Sequence, residues 1–310
     1  MKDPIFIVGL PRTGSTLWHN IFAKNEFICR IGEMHYLTPV RKDFSYFIKN
    51  SVGDLNDEDN IRKMYDLIFS GEKVKGISEG FWTIELRDIA DNSLKDALIK
   101  RTIASDRSVE SIFKALIEEY TVYKNKSQSC VKFPLYVNHI PELAKWYPAS
   151  KIVHITRDPR AIAVSRKNDP GGTKQKIKKY PYLAWFIQKI MVMFVVCQYI
   201  WSSRLHSSYK KKYNNYELFK YEDLLSDPKR TIEQLCKHTG IEFNEEMLKP
   251  GKGQASSITD KKQEGFDSSA AFRWKKHITV FENRMITLLT KASMRRFSYD
   301  PESESYLTGL

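Results

Sequence analysis

The stretch VGLPRTGSTLWHN, from Val8 to Asn20, decides how this chain folds. It has the spacing of a phosphate-binding loop, because Gly9 and Gly14 are separated as in the pattern G-x-x-x-x-G-K-[ST]. Such a loop places backbone N–H groups and a helix N-terminus around an anion. Ser15 and Thr16 stand where the pattern has its lysine and hydroxyl residue. The loop therefore keeps its backbone cradle but lacks the side chain that reaches the outer phosphates of a nucleoside triphosphate.

Strand and helix patterns alternate along most of the chain. Short apolar runs predict strands at 4–8, 129–133, 151–156 and 216–220, with helices between them. A helical period over about residues 43–125 predicts an inserted helical region. Repeated strand–helix units imply a parallel sheet with helices on both faces. We therefore expect an α/β fold with a P-loop-like parallel sheet, a helical insert and a single domain over residues 1–310.

A second anion-binding element is expected directly after the strand at 151–156. Nucleoside triphosphatases end a comparable strand in an aspartate that holds Mg²⁺. Here Arg157 takes that position, followed by Asp158, Pro159 and Arg160. An arginine there would bind a phosphate directly, although a surface ion pair is the alternative. Two anion sites at neighbouring strand ends predict a nucleotide that is phosphorylated at two separate places.

These residues resemble those of the sulfotransferases that use 3′-phosphoadenosine 5′-phosphosulfate (PAPS). The segment Pro11–Thr16 is similar to their 5′-phosphosulfate loop, and Val153–Ser165, VHITRDPRAIAVS, is similar to their 3′-phosphate motif. The resemblance covers residues 4–37 and 129–274 and leaves out the insert. It implies PAPS as donor, 3′-phosphoadenosine 5′-phosphate (PAP) as product, and no metal. The migrating SO₃ carries less charge than a phosphoryl group, so a few fixed donors can suffice.

The resemblance also assigns residues to the donor. It implies that the 5′-phosphosulfate is held by Arg12, Thr13, Gly14, Ser15 and Thr16, and the 3′-phosphate by Arg157 and Ser165. Further matches are Tyr221 near the nucleotide, Ser257 in a loop over the phosphosulfate, and Arg273 in the closing basic segment AFRWK. For Ser165 the alternative is an ordinary position on a helix.

Three residues form the expected catalytic set: Arg12, Lys132 and Glu33. Lys132 ends its strand, where family members have a lysine thought to assist the departing phosphate; the alternative is a lysine that extends from the strand end into solvent. Attack by a hydroxyl also needs a base. The common cytosolic sulfotransferases place a histidine two residues after that lysine, but this position is Pro134 here.

The segment Ile31–Pro39, IGEMHYLTP, offers a different base. It is similar to the Gly-Glu segment of tyrosylprotein sulfotransferases and many bacterial relatives, in which the glutamate is the base. This implies Glu33, and we expect partial burial beside an apolar acceptor to strengthen it; a solvated loop glutamate is the alternative. His35 and His139 are reserve candidates.

The net charge and the cysteines of the chain indicate which partners and which compartment to expect. Fifty Lys+Arg against 37 Asp+Glu give a net charge of +13, which suits an anionic ligand, a nucleic acid or an anionic membrane equally well. The basic runs at 174–179 and 210–212 favour solvated helix ends over a nucleic-acid footprint, so no nucleic acid is expected as a partner. Four widely spaced cysteines indicate reduced thiols and no metal site, and the N-terminus lacks the features of a secretion signal. We expect a cytoplasmic protein.

One apolar stretch, Leu183–Trp201, allows two interpretations. It is interrupted by Gln188, Lys189 and Gln198, unlike a typical membrane-spanning helix, so no transmembrane segment is predicted. It is either a core helix, or a helix that lines a lipophilic acceptor pocket or contacts a membrane peripherally. Together with the insert, its aromatic residues favour a lipophilic alcohol, sterol or phenol as acceptor.

Competing functions remain open from the sequence. One is a nucleotide-dependent phosphotransferase of kinase-like type, which would bind a triphosphate with Mg²⁺. Another is tyrosine sulfation of a peptide, which the Gly-Glu segment suggests and which the missing anchor and disulfides make doubtful. A third is an inert module that binds nucleic acid or membrane through Lys174–Lys179.

Overall fold

A computed structural model of the chain describes residues 1–33, 36–37, 44–70, 92–170, 172–251 and 265–302. Two of the candidate residues, His35 and Ser257, lie outside these ranges. All four cysteines are free thiols; Cys197 is exposed and the other three are buried.

Five strands form one parallel sheet in the spatial order β2-β3-β1-β4-β5. The strands are β1 (Ile5–Gly9), β2 (Ile28–Ile31), β3 (Gln128–Phe133), β4 (Lys151–Thr156) and β5 (Tyr216–Lys220). Every residue of β1 and β3 is buried, as in sheets covered by helices on both faces. The predicted α/β fold with a P-loop-like parallel sheet is thus confirmed.

Helices make up most of the remaining described chain. They are α1 (Ser15–Phe22), α2 (Phe44–Phe47), α3 (Glu58–Ser70), α4 (Ser93–Ile103), α5 (Val109–Tyr123), α6 (Ile140–Trp146), α7 (Pro159–Lys167), α8 (Thr173–Lys179), α9 (Ala184–Lys212), α10 (Tyr221–Ser226), α11 (Pro228–Thr239) and α12 (Val280–Arg296). A π-helical turn, Ile48–Val52, follows α2.

The start of α7 shows how the sequence sets a helix boundary beside β4. The Asp158 side chain caps the helix by accepting a hydrogen bond from the backbone N–H of Arg160. Pro159 stands at the first helical position, where its missing N–H costs nothing. Only Arg157 and Asp158 separate the strand from the helix, so Arg157 is held at the strand end.

The chain divides into two compact units. The first unit comprises Met1–Phe6 and Asn25–Lys151, and the second comprises Ile7–Lys24 and Ile152–Leu310. The described part of the insert region, at 44–70 and 92–123, belongs to the first unit and is largely helical. That residues 1–310 act as a single domain stays a prediction.

The first unit is built around aromatic side chains. The ring of Phe113 on α5 lies 5.0 Å from Tyr36, 5.9 Å from Phe133 and 5.0 Å from Trp146, measured between centroids. Phe133 in turn stacks on Tyr136 at 4.3 Å. Aromatic pairs at these separations add stabilisation beyond simple burial. The insert is thereby attached to β3, the strand that carries Lys132.

The second unit is organised by α9, which presents two different faces. Its inner positions, including Val192, Val196 and Tyr199, pack against residues of α7 and α12 such as Ile162 and Ile286. Its outer positions are exposed. The interpretation as a core helix therefore holds for the inner face alone. By length and composition, Pro181–Lys212 is long and apolar enough to cross a membrane. One helix of this kind is not enough to establish that the protein spans a membrane.

Candidate active site

The loop between β1 and α1 folds around two glycines of the second unit. A side chain at Gly9 would come within 2.4 Å of the Ile155 carbonyl oxygen, so this glycine allows the end of β1 to approach β4. Gly14 has a φ of 86° and precedes α1. A Cβ added there would meet the Tyr221 ring at 2.4 Å. Tyr221 thus packs directly on the loop, and its place near the nucleotide stays a prediction.

Arg12 adopts a left-handed backbone conformation with a φ of 76°, which is uncommon for a residue other than glycine. Its Nε donates a hydrogen bond to Ser165 Oγ at 3.0 Å, and its carbonyl oxygen accepts one from the Arg157 guanidinium at 3.3 Å. Left-handed residues of this kind cluster at functional sites. The structure therefore brings Arg12, Ser165 and Arg157 together, although they lie some 150 positions apart in the sequence.

The rest of the loop presents its backbone to this group. The Thr13 hydroxyl donates to the Leu10 carbonyl at 2.8 Å and is buried, so it braces the loop. Ser15 opens α1, whose first turn carries no acidic residue. The N-terminal partial charge of α1 is therefore not neutralised by its own side chains, and Ser15 and Thr16 lie where an anion would meet it.

Arg157 is held by three contacts, the first of which is its hydrogen bond to the Arg12 carbonyl oxygen. Its guanidinium lies 4.3 Å from the centre of the Tyr221 ring and also donates to the Ala270 carbonyl at 3.2 Å. Its Nε is buried and has no hydrogen-bond partner among the described residues. A buried donor left in this way costs free energy unless a ligand satisfies it.

The loop that carries Arg157 rests on a buried acidic network. Glu222 accepts a hydrogen bond from the Asp158 backbone N–H at 3.1 Å, and the Tyr299 hydroxyl donates to Glu222 at 2.6 Å. Burial raises the pKa of Glu222. Asp158 forms a buried ion pair with Arg160 at 2.7 Å. Arg160 is therefore a structural residue, whereas Arg157 is available to a ligand.

Arg166 is a candidate residue that the sequence reasoning missed. Its Nε is also buried without a hydrogen-bond partner among the described residues. Burial lowers the pKa of Arg166; the Asp169 carboxylate opposes this shift, and the positive charge of Arg12 adds to it. Its position directly after Ser165 is the one sequence signal that could have identified it. Because its charge interacts with that of Arg12, which contacts Arg157, we take these three arginines together as candidates for phosphate and call them the arginine group.

Arg273 already contacts side chains of its own segment, which the sequence did not predict. Its guanidinium pairs with Asp267 and lies 3.5 Å from Ser269 Oγ. Its segment nevertheless adjoins Ala270, whose carbonyl contacts Arg157. A role in closing on the cofactor stays a prediction, as does that of Ser257, which lies outside the described residues.

The expected base and strand lysine meet in the first unit. Glu33 follows β2 and Lys132 lies near the end of β3, and these strands pair in parallel with Ile31 opposite Val131. Lys132 Nζ lies 3.0 Å from Glu33 Oε1. The Lys132 side chain is 10% exposed, whereas that of Glu33 is 46% exposed. Glu33 is thus about half-exposed and contacts the lysine, and its burial beside a bound apolar acceptor stays a prediction.

The two reserve candidates for the base are His139 and His35. His139 ends a short 3₁₀ turn, with its Nδ1 3.8 Å from Glu142 Oε2 and its ring edge-on to Tyr136. His35 lies outside the described residues. Within the ranges that the structure describes, no group of three or more His, Cys, Asp or Glu side chains is arranged to hold a metal ion.

The fold and the second-unit site define a class of protein. A parallel sheet whose β1 loop carries Arg12 and whose β4 end carries Arg157, in contact with each other, suits an enzyme that binds a phosphorylated nucleotide at its strand ends. The family comparison makes this more specific, because the model of the sulfotransferase family matches residues 4–245. This chain belongs to the sulfotransferase family and is a sulfotransferase enzyme.

Two solved structures with TM-scores above 0.5 agree on the fold. The sulfotransferase domain of the Synechococcus PCC 7002 olefin synthase is 18% identical, with a TM-score of 0.59 over 96% of this chain and 95% of that one. The sulfotransferase domain from the curacin biosynthetic pathway is also 18% identical, with a TM-score of 0.56 over 97% and 99%. Mouse sulfotransferase SULT7A1, complexed with PAP, is 13% identical, with a TM-score of 0.47 over 95% and 84%. No curated protein matches the chain.

Proposed function

We propose that this enzyme transfers a sulfuryl group from PAPS to a hydroxyl of a lipophilic alcohol, sterol or phenol. The observation that carries the donor assignment is the arginine group, in which Arg12 contacts Ser165 and Arg157, and Arg166 follows Ser165 in the chain. Two of its buried nitrogens have no partner among the described residues. Arginine binds phosphate and sulfate oxygens through a planar set of donors, which fits a bisphosphorylated nucleotide.

In the proposed reaction, the acceptor oxygen forms a bond to sulfur while the bond from sulfur to the 5′-phosphate oxygen breaks. PAP leaves with that electron pair. Glu33 takes the proton of the acceptor hydroxyl, and Lys132 offsets the charge that develops on the leaving phosphate. Their contact at 3.0 Å supports these roles, because it places the candidate base and the candidate leaving-group partner at one site.

A lipophilic acceptor is proposed from the surroundings of this pair. Lys132 is followed by Phe133, which stacks on Tyr136, and Glu33 precedes Tyr36 in the sequence. These rings are buried in the core of the first unit, so they make the setting of the pair apolar without being exposed to an acceptor themselves, and an apolar setting favours ring systems over sugars. A panel of sterols, phenols, long-chain alcohols and tyrosine peptides, incubated with labelled PAPS, tests the class. Transfer to the peptides alone would contradict it.

Glu33→Gln tests the assigned base. We expect PAP affinity to stay within about twofold of the parent, while turnover falls by about 10²-fold or more, since a positioned base contributes that much. Calorimetry measures the first quantity and labelled transfer the second. Glu26→Gln is the matched control, because Glu26 is an exposed glutamate of the same unit. Unchanged turnover in Glu33→Gln would refute the role.

A further inference from the structure

The segment around α8 and α9 has an unusual charge pattern. From residue 170 to residue 216 the sequence contains no Asp or Glu, but it contains eight lysines and one arginine. Elsewhere the chain mixes both signs. Four of these lysines lie on or at the end of α8, and three more end α9. The segment therefore carries a local positive charge that its own carboxylates do not offset.

An apolar stripe runs along the outer face of α9. We define this stripe by its members, which are all exposed and recur at helical spacing: Phe186, Ile190, Met193, Phe194 and Trp201. Ile190 is 67% exposed, and Trp185, beside the stripe, is 63% exposed. Single exposed apolar residues are ordinary, whereas a continuous stripe indicates an interaction surface.

A lysine cluster adjoins the N-terminal end of this stripe. It consists of Lys174, Lys176, Lys178 and Lys179, all exposed. None of them is in an ion pair with a carboxylate of the described chain. The 3₁₀ turn Pro181–Leu183 joins α8 to α9, and it carries Tyr182, which is 78% exposed. Cationic and aromatic side chains are thus placed side by side.

We propose that the apolar stripe and the lysine cluster dock the protein on the surface of an anionic lipid bilayer. Lysines attract anionic headgroups, and Trp and Tyr favour the boundary between headgroups and acyl chains. The aliphatic and Phe side chains of the stripe enter the acyl region, as in helices that lie in the membrane plane. This inference does not rest on the proposed function: it assigns to a lipid surface the exposed residues of α9 that the sequence alone linked to the acceptor.

Charge argues against a second copy of the chain as the occupant of this surface. Two copies related by a two-fold axis would bring two lysine clusters into the same interface, and residues 170–216 offer no carboxylate to pair with them. A nucleic acid would use the lysines but leave the apolar stripe in water. The bilayer is the partner that satisfies both features.

Packing argues that α9 lies on the membrane instead of crossing it. Tyr199, Ser202 and His206 on its inner face are buried, and Val195 packs with Ile286 of α12. A spanning arrangement would pull this face away from the core of the second unit. Docking through the outer face leaves that core intact.

Vesicle co-sedimentation of the full chain tests the proposal. We expect binding to phosphatidylcholine vesicles with 30% phosphatidylserine, weaker binding to pure phosphatidylcholine, and loss of binding as salt rises. Replacing the four cluster lysines by Gln should weaken binding at least about tenfold. The matched control replaces Lys210, Lys211 and Lys212 by Gln; these lie at the opposite end of α9, about 40 Å from Trp185 at 1.5 Å per residue.

The apolar contribution is tested separately. Phe186→Ser with Ile190→Ser should lower binding to the same vesicles about tenfold or more, whereas Phe27→Ser, an exposed aromatic of the first unit, should not. Brominated lipids should quench tryptophan fluorescence in the parent and quench it less in Trp185→Phe. Unchanged melting temperatures show that these exposed variants are folded.

Three results would overturn the proposal. The first is equal binding by the lysine-cluster variant and the Lys210–Lys212 control variant. The second is sedimentation of a dimer that Phe186→Ser dissociates, which would assign the stripe to a second copy. The third is resistance of membrane-bound protein to alkaline carbonate, which would indicate insertion across the bilayer.

Discussion

Arg12 holds a backbone conformation that costs free energy, of order 1 kcal/mol for a residue other than glycine. The conformation persists because Ser165 and Arg157 hold both its side chain and its carbonyl oxygen. The same contacts hold the Arg12 guanidinium against Ser165. We therefore expect Arg12 to serve binding and not stability.

Two substitutions at this position separate binding from strain. Arg12→Ala and Arg12→Gly both remove the guanidinium, so both should lose PAP affinity by about 10²-fold or more. Glycine tolerates the left-handed conformation, so Arg12→Gly should be as stable as Arg12→Ala or more stable, by up to about 1 kcal/mol. Calorimetry and urea unfolding measure the two effects. Full PAP affinity in either variant would remove Arg12 from the donor site.

Gly14 offers a test of the loop's packing. Gly14→Ala would place a Cβ against the Tyr221 ring and displace the ring beneath Arg157, so PAP binding should be lost. Gly240→Ala is the matched control, because Gly240 also has a positive φ, of 71°, but its added Cβ meets nothing within 4 Å. The control should cost about 1 kcal/mol and leave PAP binding intact. Equal PAP affinity in both variants would contradict the packing role of Tyr221.

Much of the site could be predicted at the scale of single residues. Arg12, Gly14, Arg157 and Ser165 stand in motifs whose spacing reflects a strand, a turn and a helix start, so local sequence places them. Arg166 could not be found in this way, because its value depends on burial and on Arg12, which is distant in the sequence. The contact of Glu33 with Lys132 likewise could not be predicted, because it depends on the pairing of β2 with β3.

At the scale of elements, β4, β5 and α9 share a buried polar cluster. The Tyr216 hydroxyl lies 2.5 Å from His154 Nδ1 and 2.8 Å from His206 Nδ1. Burial lowers the pKa of His154 to about 3 and that of His206 to about 4, and neighbouring positive charge lowers both further. Both imidazoles are therefore neutral in the folded chain at neutral pH.

The cluster predicts loss of stability in acid. The unfolded histidines take up protons near pH 6.5 and the folded ones only near pH 3 to 4, so the unfolded chain binds more protons between these values. The stabilisation is complete above pH 6.5 and is lost as pH falls, at up to about 1.4 kcal/mol per pH unit for each histidine. Urea unfolding at pH 7, 6 and 5 measures this slope. His206→Gln should flatten it, whereas His277→Gln, at an exposed position, should not; parallel slopes in all three proteins would disprove the assignment.

Elements with a clear local signal are predicted well. β4 and β5 are continuous apolar or alternating runs bounded by turn residues, and their observed limits equal the predicted ones. β2 is missed because its four residues are stabilised by pairing with β3, which local sequence does not reveal. α12 is missed because apolar side chains occupy both of its faces: Ile286 is buried, whereas Phe281 and Leu288 are exposed. No single helical period follows from such a pattern.

At the scale of the whole molecule, the parallel sheet follows from the order of strand and helix signals. The division into two compact units does not, because each unit is assembled from segments that are distant in the sequence. Residues 1–6 and 25–151 form one unit, while 7–24 join 152–310 in the other. The donor-binding candidates fall in the second unit, and the pair of Glu33 and Lys132 falls in the first.

This division predicts where a bound nucleotide stabilises the chain. Binding to the folded form alone adds about 2.7 kcal/mol of stability at a ligand concentration 100 times its Kd. If the arginine group holds PAP, hydrogen exchange should slow in the second unit, most at residues 9–22 and 156–167, because their backbone surrounds Arg12, Arg157 and Arg166. Arg157→Ala should abolish the effect, and ATP with Mg²⁺ should not reproduce it. Protection confined to α3, α4 and α5 of the first unit would place the nucleotide elsewhere and would refute the donor site while leaving the family assignment unaffected.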